Sequence, residues 1–144
     1  PGQKRVVASR CLRGFGVESL LPVDKLVAAG DRFLEWVRNK YPNATIYTEV
    51  SLTAPRRSGG QWNGVVDALL VLPSGEVVVI DHKSARLRRN QCPAKAGTYA
   101  GQVEAYREVL EAQGFRVAET WIHFPLAGVI CASVRRCHAN THSP

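Results

Sequence analysis

Two aspartates and a lysine lie on either side of a short turn in the middle of the chain. Asp67 falls in the apolar run of residues 64–72, while Asp81 and Lys83 fall in the run of residues 76–83. Carboxylates brought close together bind divalent cations such as Mg²⁺, which accepts carboxylate oxygens and retains several waters. These residue types therefore indicate a metal site, provided that the fold places them side by side.

The turn sequence Pro73-Ser74-Gly75 predicts how the two runs pair. A three-residue hairpin loop at this point puts Asp67 directly opposite Asp81. Lys83 then lies on the same side of its strand as Asp81, because side chains alternate along a strand. Directly opposed residues have Cβ atoms about 4.5–5.5 Å apart, where like charges destabilise a sheet. The pairing therefore favours a divalent cation between the two carboxylates.

Each of these residues also has a purely structural interpretation. Asp67 could be a strand-edge carboxylate that accepts a hydrogen bond from a nearby backbone N–H, and Asp81 could form a same-face ion pair with Lys83. The His82 side chain is predicted to point to the opposite face of the strand. We therefore interpret it as a core or surface histidine rather than as a metal ligand. Since Lys83 neutralises only one of the two carboxylates, the three residues together favour the metal site.

Apolar residues recur at helical spacing in two segments. They predict one helix over residues 23–41 and a second over residues 99–113, with Thr98 as the N-cap of the second and Gly114 as its stop. The polar and basic segment between the hairpin and the second helix, residues 84–97, is predicted to be a loop.

Three further segments are predicted to be strands: residues 45–52, 117–124 and 129–134. The first has Ile46 and Val50 on one face and Glu49 on the other, and a loop over residues 53–63 follows it. The resulting order of helix, three strands, helix and two strands predicts an α/β sheet flanked by helices.

Length and composition predict one globular domain. The chain has 144 residues, of which 45% are hydrophobic. We expect an N-terminal, partly irregular arm over residues 1–22, the domain over residues 23–134 and a flexible tail over residues 135–144. The longest apolar run, residues 68–72, is far shorter than the roughly 20 residues that span a bilayer. With no signal peptide recognised, we expect a cytoplasmic protein with no membrane partner.

The charge balance favours a polyanionic partner. Lys and Arg total 19 against 12 Asp and Glu, which gives a net charge of +7. The four cysteines, Cys11, Cys92, Cys131 and Cys137, contain no CxxC pair and are interpreted as reduced thiols. Because the sequence has no methionine, even at position 1, we expect it to be a segment of a longer chain.

The residues singled out above resemble the motifs of the PD-(D/E)XK nucleases. The GxxD, (D/E)xK and QxxxY motifs correspond to Gly64-Val65-Val66-Asp67, Ile80-Asp81-His82-Lys83-Ser84 and Gln102-Val103-Glu104-Ala105-Tyr106. The last of these marks the RecB-type branch. Together with Trp121-Ile122-His123-Phe124-Pro125, the set is most similar to the C-terminal nuclease domain of AddA and UvrD/RecB-like helicases. The resemblance implies a restriction-endonuclease-like central mixed β-sheet flanked by α-helices.

The resemblance also implies a role for each residue of the hairpin. Asp67 and Asp81 would hold Mg²⁺ or Mn²⁺, with the backbone carbonyl of His82 as a further ligand. Glu49, on the preceding strand, would complete the site, although a solvated strand face is the alternative for it. Lys83 would orient or help deprotonate the attacking water and stabilise charge on the scissile phosphate.

Gln102 and Tyr106 are four positions apart and share a helix face, which the resemblance implies looks onto the active site and DNA. Packing in the core is the alternative for Tyr106. RecB-type nucleases often carry a metal-binding histidine on the first helix, and residues 23–41 contain none. The ligand would then lie upstream of Pro1, or the site works without it. The cysteine spacing also departs from the family's iron–sulfur pattern, so no cluster is expected.

The resemblance implies a metal-dependent DNA nuclease domain that is exonuclease-type and sequence-independent. Its parent would be a helicase–nuclease, nucleoid-associated in the cytoplasm, that acts in DNA end processing and recombinational repair. Its partners would be single-stranded DNA or duplex ends and the helicase motor domains of the same chain. The residues expected to hold DNA phosphates are Arg86, Arg88, Arg89 and Lys95.

Two other functions stay open. One is a catalytically silent DNA-binding or docking module of a helicase with the same fold, which the missing helix histidine favours. The intact set of Asp67, Asp81 and Lys83 argues against it. The other is a resolvase-like endonuclease, which would require dimerisation and which the Gln102 and Tyr106 motif disfavours.

Overall fold

The computed structural model of the chain describes residues 2–14, 16 and 19–133. Its strands are β1 (Thr45–Pro55), β2 (Gln61–Val71), β3 (Val77–His82), β4 (Val117–Phe124) and β5 (Val129–Ala132). Its α-helices are α1 (Gly2–Gly14), α2 (Val23–Lys40) and α3 (Cys92–Ala112), with a 3₁₀ turn at Arg89–Gln91 before α3. None of the described helices is long and apolar enough to cross a membrane.

The five strands form one sheet in the order β1-β2-β3-β4-β5. Strands β3 and β4 are parallel, joined through α3, and the other neighbouring strands are antiparallel. This mixed sheet flanked by helices confirms the predicted fold class. The predicted helix over residues 23–41 is confirmed as α2, and the predicted strand pair after α3 is confirmed as β4 and β5, although Val134 lies outside the described residues.

Strand β3, in the middle of the sheet, is buried on both faces, as its continuous apolar run requires. Residues Val77, Val78, Val79 and Ile80 are each 0% exposed. Helix α3 covers one face through a cluster that includes Leu52, Val66, Leu69, Val77, Val79, Val103, Tyr106, Leu110, Ile122 and Phe124. Helix α2 covers the other through Val37, Tyr41, Ala68, Leu70, Val78 and Ile80. Strand β3 therefore sends alternate side chains into two different cores.

The β2–β3 hairpin turns where the sequence predicts. The N–H of Leu72 donates to the carbonyl of Glu76 at 2.8 Å, and Gly75 takes the left-handed conformation with φ of 85°. The pairing runs from Val71 opposite Val77 to Ala68 opposite Ile80. One step further, the same register places residue 67 opposite residue 81, as predicted.

Residues 2–14 form helix α1, where the sequence predicts a partly irregular arm. Ala8 and Leu12, one helical turn apart, are buried, and two ion pairs join α1 to α2: Lys4 with Asp31 and Arg5 with Asp24. With only two buried positions, the amphipathic pattern of α1 is weak, which is why the periodicity does not reveal it. The predicted flexible tail over residues 135–144 lies outside the described residues.

Strands β1 and β2 extend into the segment predicted as a loop over residues 53–63. Thr53 pairs with Asn63 and Ala54 pairs with Trp62, so only residues 56–60 turn. Pro55 is tolerated because it closes β1, which lies at the edge of the sheet.

Strand β1 changes faces at Glu49, which has a left-handed φ of 53°. Ile46 packs in the cluster under α2, whereas Val50 packs in the cluster under α3. The prediction that Ile46 and Val50 share a face is therefore wrong. Regular alternation assumes extended backbone throughout, and the left-handed residue interrupts it.

Helix α3 begins at Cys92, seven residues before the predicted start. Pro93 lies in its first turn, where the fixed φ of proline suits a helix and its missing N–H costs nothing. Thr98 is inside the helix, where its hydroxyl donates to the carbonyl of Lys95 at 2.7 Å rather than capping the helix end. The predicted loop over residues 84–97 is therefore wrong in its second half, and Lys95 lies on a helix. The predicted stop is confirmed, since Gly114 follows with φ of 93°.

Candidate active site

Asp81 is a buried acid at the carboxyl end of β3. Its side chain lies on the α3 face, because Val77 and Val79, four and two positions earlier, pack there. It is 2% exposed. Burial raises the pKa of Asp81, the Lys83 ammonium lowers it, and the negative charge of Asp67 raises it again. The two aspartates are therefore close enough to interact, in a place that disfavours a second unpaired negative charge.

Lys83 holds its ammonium group between an acid, an amide and an aromatic ring. Its Nζ lies 2.8 Å from Oδ2 of Asp81 and donates to Oε1 of Gln102 at 2.7 Å. The same Nζ lies 4.6 Å from the centroid of the Tyr99 ring, a cation–π distance. Lys83 is therefore fixed in position from β3 and from α3 at once.

Gln102 connects Lys83 to Tyr106. The Nε2 of Gln102 donates to the Tyr106 hydroxyl at 2.8 Å, while its Oε1 accepts from Lys83. Tyr106 is 4% exposed, and burial raises the pKa of its hydroxyl. The ring packs in the core under α3, as the structural interpretation of Tyr106 has it, and the hydroxyl contacts Gln102, which holds Lys83.

Gly64 makes room for this arrangement. A Cβ at this position would lie 2.8 Å from Cε1 of Tyr106 and would also collide with the ring of Trp62. The Trp62 and Tyr106 rings meet edge to face, with centroids 6.0 Å apart. The glycine three positions before Asp67 therefore leaves room on β2 for the Trp62 ring and for the Tyr106 ring of α3.

Asp67 faces Asp81 across the end of the paired region. Its Oδ2 accepts a hydrogen bond from the backbone N–H of His82 at 2.7 Å. Both structural interpretations are thus present, the strand-edge carboxylate at Asp67 and the ion pair between Asp81 and Lys83. Oδ2 of Asp81 is buried, and the Lys83 ammonium, 2.8 Å away, is its polar partner.

The donor set fits a hard divalent cation held by few protein ligands. No three His, Cys, Asp or Glu side chains among the described residues are grouped closely enough to hold a metal ion. Asp67 and Asp81 are thus the two candidate carboxylates. Glu49, between the Thr48–Ala68 and Val50–Val66 pairs, is exposed and does not join them in a group of three. Mg²⁺ is commonly bound through one or two carboxylates together with waters and substrate phosphate. A buried carboxylate beside a second acid is the kind of group that such an ion stabilises.

The His82 side chain lies on the opposite face of the sheet, as predicted. Its Nδ1 lies 2.9 Å from Nδ1 of His123, and its ring meets the Phe33 ring edge to face at 4.9 Å. Burial lowers the pKa of His82, against the opposing influence of Asp67 and Asp81. Only the backbone of His82 is therefore directed to the acidic site.

The basic residues predicted to hold DNA phosphates are all exposed: Arg86, Arg88, Arg89 and Lys95. The first three follow β3, and Arg89 donates from Nη2 to the carbonyl of Gly128 at 3.3 Å. Lys95 lies 5.5 Å from the Tyr99 ring centroid, so it shares that ring with Lys83. The structure thus brings Lys95 near the acidic site and directs Arg89 toward the β4–β5 turn.

Tyr99 is a site residue that sequence reasoning missed. From the sequence, Tyr99 is predicted only to begin a helix. In the structure, its ring makes cation–π contacts with Lys83 and Lys95. A signal for it exists, because Tyr99, Gln102 and Tyr106 are spaced by three and four positions and so share one helix face.

A family model, described as the PD-(D/E)XK nuclease superfamily, matches residues 18–136 and so covers α2, the whole sheet and α3. No curated protein matches the chain.

Proposed function

The chain belongs to the PD-(D/E)XK nuclease superfamily, and from that premise we propose that it is a divalent-metal-dependent deoxyribonuclease. The observation that carries the proposal is the juxtaposition of Asp67, Asp81 and Lys83. Two carboxylates interact at the ends of neighbouring strands, and a lysine fixed from both sides accompanies them. A sheet gains no stability from two facing acids unless a cation lies between them.

Asp67, Asp81 and the backbone carbonyl of His82 are the proposed ligands of Mg²⁺ or Mn²⁺. Such an ion, when bound, lowers the pKa of a coordinated water and neutralises charge on a phosphate. Asp81 contributes a carboxylate that is already desolvated. Glu49 is proposed as a more distant contributor, since it is exposed and separate from the two aspartates.

Lys83 is proposed to orient the attacking water and to stabilise negative charge on the scissile phosphate. Its ammonium is held by Oε1 of Gln102 at 2.7 Å, and Gln102 is itself held by the Tyr106 hydroxyl. When the charge of Asp81 is shared with a cation, this scaffold keeps Lys83 in place without its ion pair. Gln102 and Tyr106 therefore act by positioning the lysine before DNA arrives.

The DNA contacts are proposed to come from the exposed cations around the site. These are Arg86, Arg88, Arg89 and Lys95, and they would hold phosphates, which position DNA without reading its sequence. The net charge of +7 supports this partner. Cleavage is therefore proposed to be independent of sequence.

The parent protein and the mode of cleavage are a finer part of the proposal. The resemblance of the Gln102 and Tyr106 motif to RecB-type nucleases supports an exonuclease acting on single strands or duplex ends. It also supports motor domains of a helicase in the same chain, with a role in DNA end processing and repair at the nucleoid.

Cleavage of end-labelled DNA with and without divalent metal tests the proposal. We expect the chain to cut labelled single strands and duplexes in Mg²⁺ or Mn²⁺ and to be inactive in EDTA. Short terminal products would support the exonuclease, whereas internal cuts would contradict that part. If the chain binds DNA yet cuts nothing in either metal, the nuclease proposal is contradicted and the catalytically silent module takes its place.

A further inference from the structure

A small cavity lies on the face of the sheet opposite the acidic site. Its volume is about 110 Å³, and its wall on α2 includes Arg32, Phe33 and Trp36. His123 of β4 and Gly128 of the β4–β5 turn line the other side. The proposed nuclease chemistry uses none of these side chains.

The cavity is lined by aromatic rings. The Phe33 ring stacks on His123, with centroids 4.8 Å apart and planes at 21°. The Trp36 and Phe33 rings are nearly parallel, at 23°, with centroids 6.4 Å apart. Flat rings of this kind are what nucleobases stack on.

The size of the cavity suits one small ring. Enclosed apolar cavities of roughly 150 Å³ hold a whole benzene ring, so this smaller cavity of about 110 Å³ holds at most one six-membered ring, part of which stays outside it. A pyrimidine base fits this description, with its sugar and phosphates remaining in solvent. The flat ring would enter between α2 and the β4–β5 turn, where Arg32 lines the wall.

The charge around the cavity suits the phosphates attached to such a base. No acidic side chain is among the described residues that line it, and Arg32 is exposed. Arg89, whose Nη2 donates to the carbonyl of Gly128, adds a second cation at the β4–β5 turn. Because Arg89 lies six residues after Lys83, a short basic segment runs from the acidic site to the cavity.

We propose that this cavity binds an unpaired pyrimidine base of single-stranded DNA, with Arg32 and Arg89 holding the adjacent phosphates. The inference rests on the proposed nuclease function and specifies its substrate as DNA with a single-stranded stretch. A paired base in a duplex cannot enter, because its ring is stacked between its neighbours. The cavity therefore favours single strands over blunt duplexes.

Binding of labelled oligothymidine in EDTA, followed by fluorescence anisotropy, tests this inference. We expect Arg32→Ala and the cavity-narrowing variant Ala29→Leu each to weaken oligothymidine binding by about fivefold or more. Blunt-duplex binding should stay within about twofold, because the duplex is held by phosphate contacts elsewhere. The matched control is Arg38→Ala, an exposed arginine of the same helix that does not line the cavity, and it should leave both affinities unchanged.

An abasic oligomer of the same length separates base binding from phosphate binding. The wild type should bind oligothymidine more tightly than the abasic oligomer, and Ala29→Leu should remove this difference. Equal binding of the two oligomers by the wild type would overturn the inference, as would unchanged oligothymidine binding by Arg32→Ala. Because Ala29 is buried, its variant is first checked for a native circular dichroism spectrum, and Arg32→Ala, on the exposed rim, tests the same inference independently.

Metal-dependent cleavage of a blunt duplex distinguishes this inference from the proposed function. If the wild type cleaves but neither variant affects single-strand binding, the inference fails and the nuclease stands. If the wild type cleaves nothing while Arg32→Ala and Ala29→Leu still weaken oligothymidine binding, the nuclease fails and the base-binding cavity is supported.

Discussion

Asp81 and Lys83 combine a structural and a chemical role in the same ion pair. The pair is buried at the end of an apolar strand, where it stabilises little beyond what its desolvation costs. At a separation of 2.8 Å, the lysine lowers the pKa of a carboxylate whose pKa burial raises. The ion pair therefore places the ammonium beside the carboxylate that is proposed to bind the metal, where it can act on a phosphate.

Lys83→Ala tests this role at the residue scale. We expect cleavage to fall by roughly 10²–10⁴-fold, the range for loss of a positioned acid–base or charge-stabilising group. Binding of Mn²⁺, followed by its electron paramagnetic resonance, should persist, because both aspartates remain. Lys83→Arg serves as the charge-preserving control and should recover part of the activity. If Lys83→Ala keeps its fold but loses Mn²⁺ binding, the lysine positions the metal ligands, and its assignment to catalysis is contradicted.

Removing one ligand gives the complementary result. Asp67→Asn keeps the shape of the side chain and should weaken Mn²⁺ binding by about tenfold or more, since it removes one of two ligating carboxylates. The matched control is Asp31→Asn, an exposed aspartate on α2 that pairs with Lys4 far from the site. Mn²⁺ affinity equal to that of the wild type in Asp67→Asn would remove Asp67 from the ligand set.

At the scale of elements, the Tyr106 ring of α3 lies against Gly64 of β2, where a side chain would collide with it. Gln102 joins Tyr106 to Lys83, so the packing at residue 64 bears on the position of the lysine. Gly64→Ala should lower the free energy of unfolding by about 1–3 kcal/mol, the cost of overpacking a core. It should also lower cleavage more than binding, because it displaces the helix that positions Lys83.

Gly101→Ala is the matched control for Gly64→Ala. A Cβ at this position on α3 meets no atom within 4 Å, so the variant should be neutral or more stable by up to about 1 kcal/mol. Urea unfolding of both variants measures the difference. Equal stability of Gly64→Ala and the wild type would contradict the packing role of the glycine.

The contact between α2 and β4 should make stability depend on pH. The pKa of His123 is lowered to about 4, chiefly by burial and then by His82 and Arg32, whereas an unfolded histidine titrates near about 6.5. Between these values the unfolded chain binds more protons, so the free energy of unfolding should decrease as the pH falls from about 6.5 toward 4. Urea unfolding at about pH 7 and about pH 5 measures this effect. The free energy of unfolding should decrease less between these two pH values in His123→Gln than in the wild type. The same decrease in both proteins would contradict the claim that His123 is neutral in the fold.

The elements also show how far the sequence predicts this fold. The hairpin register, α2 and the β4–β5 pair follow from apolar periodicity and one turn, because their patterns are regular over many residues. The face change at Glu49 does not follow, because a left-handed residue in a strand leaves no mark on the pattern. The early start of α3 and the helix α1 do not follow either, because polar residues on an exposed helix surface resemble those of a loop.

The site is predictable to a similar degree. Asp67, Asp81 and Lys83 come together because the hairpin register is set by a local turn. The position of Gln102 against Lys83 depends on how α3 packs, which periodicity alone does not give, and only the family resemblance implies it. The cavity between α2 and the β4–β5 turn depends on contacts between segments far apart in the sequence, so no local pattern indicates it.

For the whole molecule, a net charge of +7 and a cationic segment after β3 predict binding dominated by phosphates. The double variant Arg88→Ala, Arg89→Ala should reduce the slope of log affinity against log salt for duplex DNA by roughly 2, about 0.9 for each lost contact. Replacing Lys25 and Arg38, exposed cations of α2, provides the charge-matched control and should leave the slope unchanged. An unchanged slope in the double arginine variant would contradict the proposal that Arg88 and Arg89 contact DNA.

The rate of DNA cleavage by Asp81→Asn across a titration of Mg²⁺ tests the proposed metal site most directly. The substitution keeps the size of the side chain and removes the charge that is proposed to bind the metal. We predict that cleavage is lost at every Mg²⁺ concentration, while circular dichroism and DNA binding remain those of the wild type and Asp31→Asn remains active. Cleavage by Asp81→Asn at the wild-type rate would contradict the assignment of this site to catalysis.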